Sequence, residues 1–166
     1  DGILNLTECG GGLEVTYYPK DFDLKSPADT INQIVADFQK SKKLRGNDLK
    51  NLRAQLTANT KMRFEYANKM GLVNIKKIKT KNNTFLAKTK GFESIDFNGK
   101  YYERKKVDGS IERFNLKGQL TQIVNSAGLW LKIQYKGSRI AYMVDQKGRR
   151  LNFSYDRNGK LSKIFK

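Results

Sequence analysis

The chain has 166 residues, 38% of them hydrophobic, with nine phenylalanines, eight tyrosines, one tryptophan, no histidine, a single cysteine and a formal charge of +17. It is long enough to bury a core and too aromatic for a disordered tail. One cysteine excludes an internal disulfide framework and, without histidine, an ordinary zinc cluster; no run of 18 apolar residues reads as a membrane-spanning helix.

The charge is unevenly spread. Residues 1–39 carry a net −5, residues 40–90 a net +13 and residues 91–166 a net +9. Such an excess attracts polyanions: nucleic acid, anionic lipid surfaces or acidic cell-wall polymers. The chain starts at Asp1 without methionine, which fits a product of signal-peptide cleavage or a trimmed chain. Cys9 reads as a free structural thiol, with an intermolecular disulfide as the sharper alternative in an oxidising compartment.

The opening segment alternates around a glycine break, with Leu4 and Leu6 before it and Leu13, Val15 and Tyr17 after it, so two short strands or one interrupted strand are expected. A helix follows. Ser26 is placed to cap it, Pro27 suits its first position and Asp29 its first turn. Ile31, Ile34, Val35 and Phe38 form one apolar stripe, Lys40, Lys42, Lys43 and Arg45 crowd its end, and Gly46 is expected to stop it. A second helix starts at Asn47 or Asp48, carries Leu49, Leu52 and Leu56 inward, and continues with Met62, Tyr66 and Met70 to Gly71. A strand through Phe64 and Tyr66 is the alternative for its second half.

From Leu72 the period becomes two, in ten short apolar alternations from "LVNIKKIK" to "KLSKIF". Most are separated by turn pairs such as Asn98-Gly99, Asp108-Gly109, Lys117-Gly118, Lys147-Gly148 and Asn158-Gly159, which supply the positive φ that hairpin turns need. The expected fold is therefore α+β: N-terminal strands and a helical hairpin packed on a curved antiparallel β-meander. The helix stripe and Trp130, Ile133, Tyr135, Phe153 and Tyr155 would share its core. The expected organisation is strands plus two helices over residues 1–71 and a hairpin sheet over 72–166, in one cooperative unit.

The hairpins repeat with a period near twenty residues. Gly128, Leu131, Ile133 and Tyr135 align with Gly148, Leu151, Phe153 and Tyr155, and Ile123, Met143 and Ile164 recur at intervals of 20 and 21. An earlier partial copy holds Gly109, Ile111, Phe114, Gly118 and Leu120. The stretch from Asp108 to Lys166 resembles the RHS/YD (tyrosine-aspartate) repeats of secreted bacterial proteins. Gly148–Ile164 meets the pattern best, with Tyr155-Asp156 and the glycine-Lys-Leu turn at 159–161; the previous copy departs from it with Tyr135-Lys136. The resemblance implies hairpins added side by side into a curled sheet and an exported location (periplasm, cell surface or secreted), within a surface or secretion assembly. Three units are too few to enclose a cargo, and with the repeats last no toxin domain is expected after them.

No catalytic constellation stands out. Absence of histidine removes Ser-His-Asp and Cys-His machinery. Asp21 and Asp23 lack the rest of a calcium loop, and Cys9–Gly12 lacks the Gly-Lys-Ser/Thr of a phosphate loop. The chain is thus read as a non-enzyme without cofactor or metal. Its candidate contact residues are the lysine-rich stretches Lys40, Lys42, Lys43, Arg45 and Lys76, Lys77, Lys79, Lys81, which would hold an envelope protein or an anionic cell-wall or surface polymer. The competing reading is a basic nucleic-acid-binding protein or histidine-free nuclease; lysines can also simply protect a sheet edge.

Overall fold

The computed structural model describes residues 2–8, 12–22, 26–41, 44–73, 82–87 and 93–166. The chain divides into two compact units, Asp1–Gly91 and Phe92–Lys166. The fold is α+β, with every strand pair antiparallel among the described residues.

In the first unit, α1 (Pro27–Ser41) begins as the sequence predicts. The Asp29 amide donates to Ser26 Oγ at 3.1 Å, and that hydroxyl donates back to Asp29 Oδ2 at 2.9 Å. Ile31, Ile34, Val35 and Phe38 are all buried. The second helix is broken in two, α2 (Asn47–Ala58) and α3 (Thr60–Lys69). Asn59 causes the break: its backbone is extended (φ −118°, ψ 94°), and its side-chain oxygen accepts from the Met62 amide at 2.9 Å, capping α3. The Arg63 guanidinium donates to the Leu56 carbonyl at 2.7 Å, covering an end carbonyl of α2. Gly46 does not end α1; it precedes α2 at φ 57°, while α1 stops at Ser41. Gly71 ends α3 as expected, with Gly71 N–H donating to the Asn68 carbonyl and Leu72 N–H to that of Ala67.

The stripe of α1 packs with Leu52 and Leu56, and Leu44, Leu49, Met62, Tyr66 and Met70 close around it. This cluster is built wholly from the helical segment, so the apolar stripe is satisfied by α2 and α3. Phe64 turns the other way. It meets Tyr18 at 5.7 Å and Phe22 at 5.3 Å between ring centres, seating α3 on the strand β2 (Glu14–Pro19). β1 (Leu4–Thr7), β2 and β3 (Asn83–Ala87) pair in chain order, and β2 buries Val15, Tyr17 and Tyr18.

The second unit is a meander of β4 (Ser94–Phe97), β5 (Tyr102–Lys105), β6 (Ile111–Phe114), β7 (Leu120–Val124), β8 (Trp130–Lys136), β9 (Arg139–Asp145), β10 (Arg150–Tyr155) and β11 (Leu161–Phe165), each beside its sequence neighbours. Four of its turns are built alike. Asn115, Asn125, Asp145 and Asp156 each donate their amide to the carbonyl four residues on, and a glycine three residues on sits at φ 76–80°. The same four side chains each accept two amides, at positions two and four further on, at 2.9–3.0 Å. These are three-residue loops, whose glycine supplies the left-handed residue. The aspartate of the Tyr155-Asp156 pair is thus a turn cap. Where lysine replaces it, at Lys136, the loop shortens to two residues, with Lys136 paired to Arg139 around Gly137-Ser138.

The period of twenty is also written into the register. Pairing shifts at Arg113/Phe114, Gln134/Tyr135 and Ser154/Tyr155, leaving Thr121, Ala141 and Ser162 as the extra residues of three bulges. Thr121 and Ser162 use their hydroxyls to donate to the Arg113 and Ser154 carbonyls, both at 3.1 Å. The repeated tyrosines tie hairpin to hairpin: Tyr135 Oη donates to the Leu120 carbonyl at 2.9 Å, and Tyr155 Oη to that of Ile140 at 3.0 Å.

Candidate functional site

Alternation and register sort the second unit into two faces. One carries Ile95, Phe97, Ile123, Leu131, Ile133, Met143, Leu151, Phe153 and Ile164. The other is polar, and its charges are handled differently at its two ends.

Toward β4–β6 the cations are paired. Lys105 meets Asp96 at 2.8 Å, and Arg113 meets Glu103 at 2.7 Å and Gln122 at 3.0 Å. On the apolar face, Arg104 is buried between Glu93 (2.8 Å) and Glu112 (3.1 Å), with Lys106 3.7 Å from Glu112. The hydrogen bond and charge of Asp96 raise the pKa of Lys105. Acid and base almost balance there.

Toward β8–β11 they do not. Residues 129–166 contain ten lysines and arginines, all exposed, against only Asp145 and Asp156. Both carboxylates are engaged by their own turns, and Asp145 also takes Arg149 at 2.6 Å. Desolvation acts to raise the Asp145 pKa, but the hydrogen bonds and charge of Arg149, with the Lys147 amide, hold it below the usual carboxylate value.

Four of the remaining cations lie on aromatic rings. Lys132 stands 4.7 Å above Trp130, Arg150 is 3.6 Å from the ring centre of Tyr142, Lys163 is 5.4 Å from Phe165, and Arg139 is 5.5 Å from Tyr155. Cross-strand register puts Lys132, Val144 and Arg150 in one row and Gln134, Tyr142, Asn152 and Phe165 in the next, all on the polar face. The result is a basic surface with interleaved aromatic rings on a continuously paired sheet. It can hold phosphate or carboxylate groups through Lys and Arg and stack planar groups on the Arg150 guanidinium. On the opposite face, Leu131, Met143 and Leu151 floor a groove of about 610 Å³ rimmed by Asp145, Arg149, Arg150 and Lys166.

Of the residues proposed from sequence, Lys40 is exposed in the last turn of α1 and Arg45 is exposed before α2. Lys42, Lys43, Lys76, Lys77, Lys79 and Lys81 lie outside the described residues, as do Cys9 and Asp23. Sequence reasoning missed the cation–aromatic face, although Trp130-Leu-Lys132 and Lys163-Ile-Phe165 carry its signal: a cation and a ring two apart share one side of a strand. It also missed the Glu93–Arg104–Glu112 group, which only pairing register assembles.

Among the described residues no three His, Cys, Asp or Glu side chains are grouped to hold a metal ion, and no helix is long and apolar enough to cross a membrane. No protein-family model, curated protein or solved structure matches this chain.

Proposed function

We propose that this chain is a non-enzymatic binding module whose C-terminal hairpins hold an anionic polymer of the bacterial cell envelope or exterior against the polar face of β8–β11. One observation carries the reading: residues 129–166 carry ten exposed cations, Lys132, Arg150 and Lys163 of them on the polar face, against only two carboxylates, both committed to their turns. Unpaired cations on an ordered sheet attract a polyanion and release its counterions on contact. The exported setting rests on the likeness to RHS/YD repeats. The lysine-rich stretches at 40–45 and 76–81 would extend the same attraction.

The second reading, nucleic-acid binding, is favoured by a distinct observation. Arg150 on Tyr142 and Lys132 on Trp130 resemble the stacking platforms on which single-stranded nucleic acid lies. A salt-titrated binding assay separates the two, using a glycerol-phosphate polymer, single-stranded RNA and duplex DNA at matched phosphate concentration. The envelope reading expects the base-free polymer to bind as tightly as RNA, with log affinity falling linearly in log salt. RNA bound more than tenfold tighter than the polymer would move the assignment to nucleic acid. Negligible binding of all three would overturn both.

A further inference from the structure

Antiparallel strands in chain order put alternate turns of the second unit at the same end. The turn Asn98–Tyr101, the loop Asn115–Gln119 and the turn at Gly137 share one end, each about 10 Å from the next across two strand spacings. Among them lies a pocket of about 430 Å³, a size that takes a small molecule. Leu116 and Ile133 give it apolar surface, and no carboxylate lines it.

Hydrogen bonding decides which of its groups are available. Asn115 Nδ2 donates to Gln119 Oε1 at 2.9 Å and Gln119 Nε2 to the Gly137 carbonyl at 2.8 Å, so these two amides fix the wall. Lys100 and Lys117, from two successive turns of that end, are exposed and enter no ion pair among the described residues. The side-chain amide of Gln134 makes no hydrogen bond among them either. Thr121 Oγ1 and Tyr135 Oη each donate to a backbone carbonyl, of Arg113 at 3.1 Å and of Leu120 at 2.9 Å. A hydroxyl has one proton and two lone pairs, so toward the pocket both oxygens can only accept.

Two ammonium groups on flexible stems, with no carboxylate beside them, call for a dianion, which a phosphate monoester supplies near neutral pH. Acceptors whose protons are already engaged call for hydroxyl groups on the ligand. We propose that this pocket is a binding site for a small phosphorylated polyol. Lys100 and Lys117 take the phosphate, and the Gln134 amide with the Thr121 and Tyr135 oxygens meets the hydroxyl groups. The site is independent of the polymer face, since it uses none of Lys132, Arg150 and Lys163.

The probe is glucose 6-phosphate, titrated calorimetrically into the full chain at fixed ionic strength. It should bind at least tenfold tighter than inorganic phosphate or ethyl phosphate, which lack the carbon-bound hydroxyls, and glucose alone should not bind measurably. Lys100→Ala and Lys117→Ala should each weaken binding about tenfold with the unfolding midpoint unchanged, because both side chains are exposed. Lys50→Ala removes the same charge from an exposed position of α2 and should leave binding as it is. Malate, a hydroxylated dicarboxylate, tests the choice of phosphate and should bind more weakly. Equal binding of glucose 6-phosphate and ethyl phosphate, tighter binding of malate, or a loss in Lys50→Ala as large as in Lys100→Ala would each overturn the proposal. So would the absence of glucose 6-phosphate binding at millimolar concentration.

Discussion

The helical segment and the repeat hairpins solve the problem of stability in different ways. Around α1 the solution is packing: Ile34 and Leu56 are fully buried, and three helices contribute to one cluster. In β6–β11 most side chains are only half buried, and Ile133 is the one buried hydrophobic residue of those strands. What recurs there is local: a carboxylate or amide capping four of the five turns, a glycine at positive φ, and a tyrosine reaching back to the previous hairpin. A unit that draws on neighbours alone can be lengthened by repetition, whereas a packed helical cluster cannot. It also leaves every lysine and arginine of residues 129–166 exposed.

The comparison is sharpest where a substitution should hurt one region and spare the other. Leu56→Ala should cost about 2–5 kcal/mol in urea denaturation, because it empties a fully buried site. Leu151→Ala, on a half-exposed strand position, should cost less than about 1 kcal/mol. Equal losses would mean that the sheet depends on packing as much as the helices do.

Next in size is the turn chemistry. Asn125→Ala removes the acceptor for the Ala127 and Leu129 amides and should cost about 1–2 kcal/mol, with faster exchange confined to the β7–β8 hairpin. The same substitution at Asn152 should cost far less, since it caps no turn.

Tyr155→Phe should cost about 0.5–1.5 kcal/mol by losing the bond to the Ile140 carbonyl, while Tyr142→Phe should be near neutral. Both are read from denaturation midpoints. The paired tyrosine Tyr135 adds a pH test. Burial raises its pKa, with the nearby Tyr155 adding to the shift, so its contribution is full below the unfolded value near 10 and fades as pH rises through the folded one. The alkaline limb of the stability curve should flatten in Tyr135→Phe.

The carboxylates act at the other end. The Asp108 pKa is lowered chiefly by the side-chain hydrogen bond from Ser110, and that of Asp145 by Arg149 against opposing desolvation. A depressed folded pKa contributes stability above the unfolded value of about 4, and that contribution is lost as pH falls through the folded one. Asp108→Asn should therefore remove a small part of the acid dependence. The smallest stability effect belongs to Arg150→Ala, whose side chain is exposed over Tyr142; there the loss should appear in the salt slope of polymer binding, lower by about one, with unfolding almost unchanged.

Much of this architecture is legible in the amino-acid sequence. Strand after strand from β3 to β11 falls on an alternation visible in the sequence, and Ser26 and Gly71 mark the helix boundaries they occupy. These features are local, set by side-chain period and by residues that favour one backbone geometry, so the sequence carries them directly. The break at Asn59 was less visible because an asparagine inside an apolar period caps a helix only when its backbone turns extended. The lysine stretches were visible as composition, yet composition holds no geometry. The cation–aromatic face, the Arg104 group between two glutamates, and the tyrosine bonds across hairpins depend on which residues stand opposite one another. Three bulges determine that register, each displacing one strand by a residue against its partner. Long-range pairing of this kind is decided by the assembled sheet, and only the tertiary structure records it.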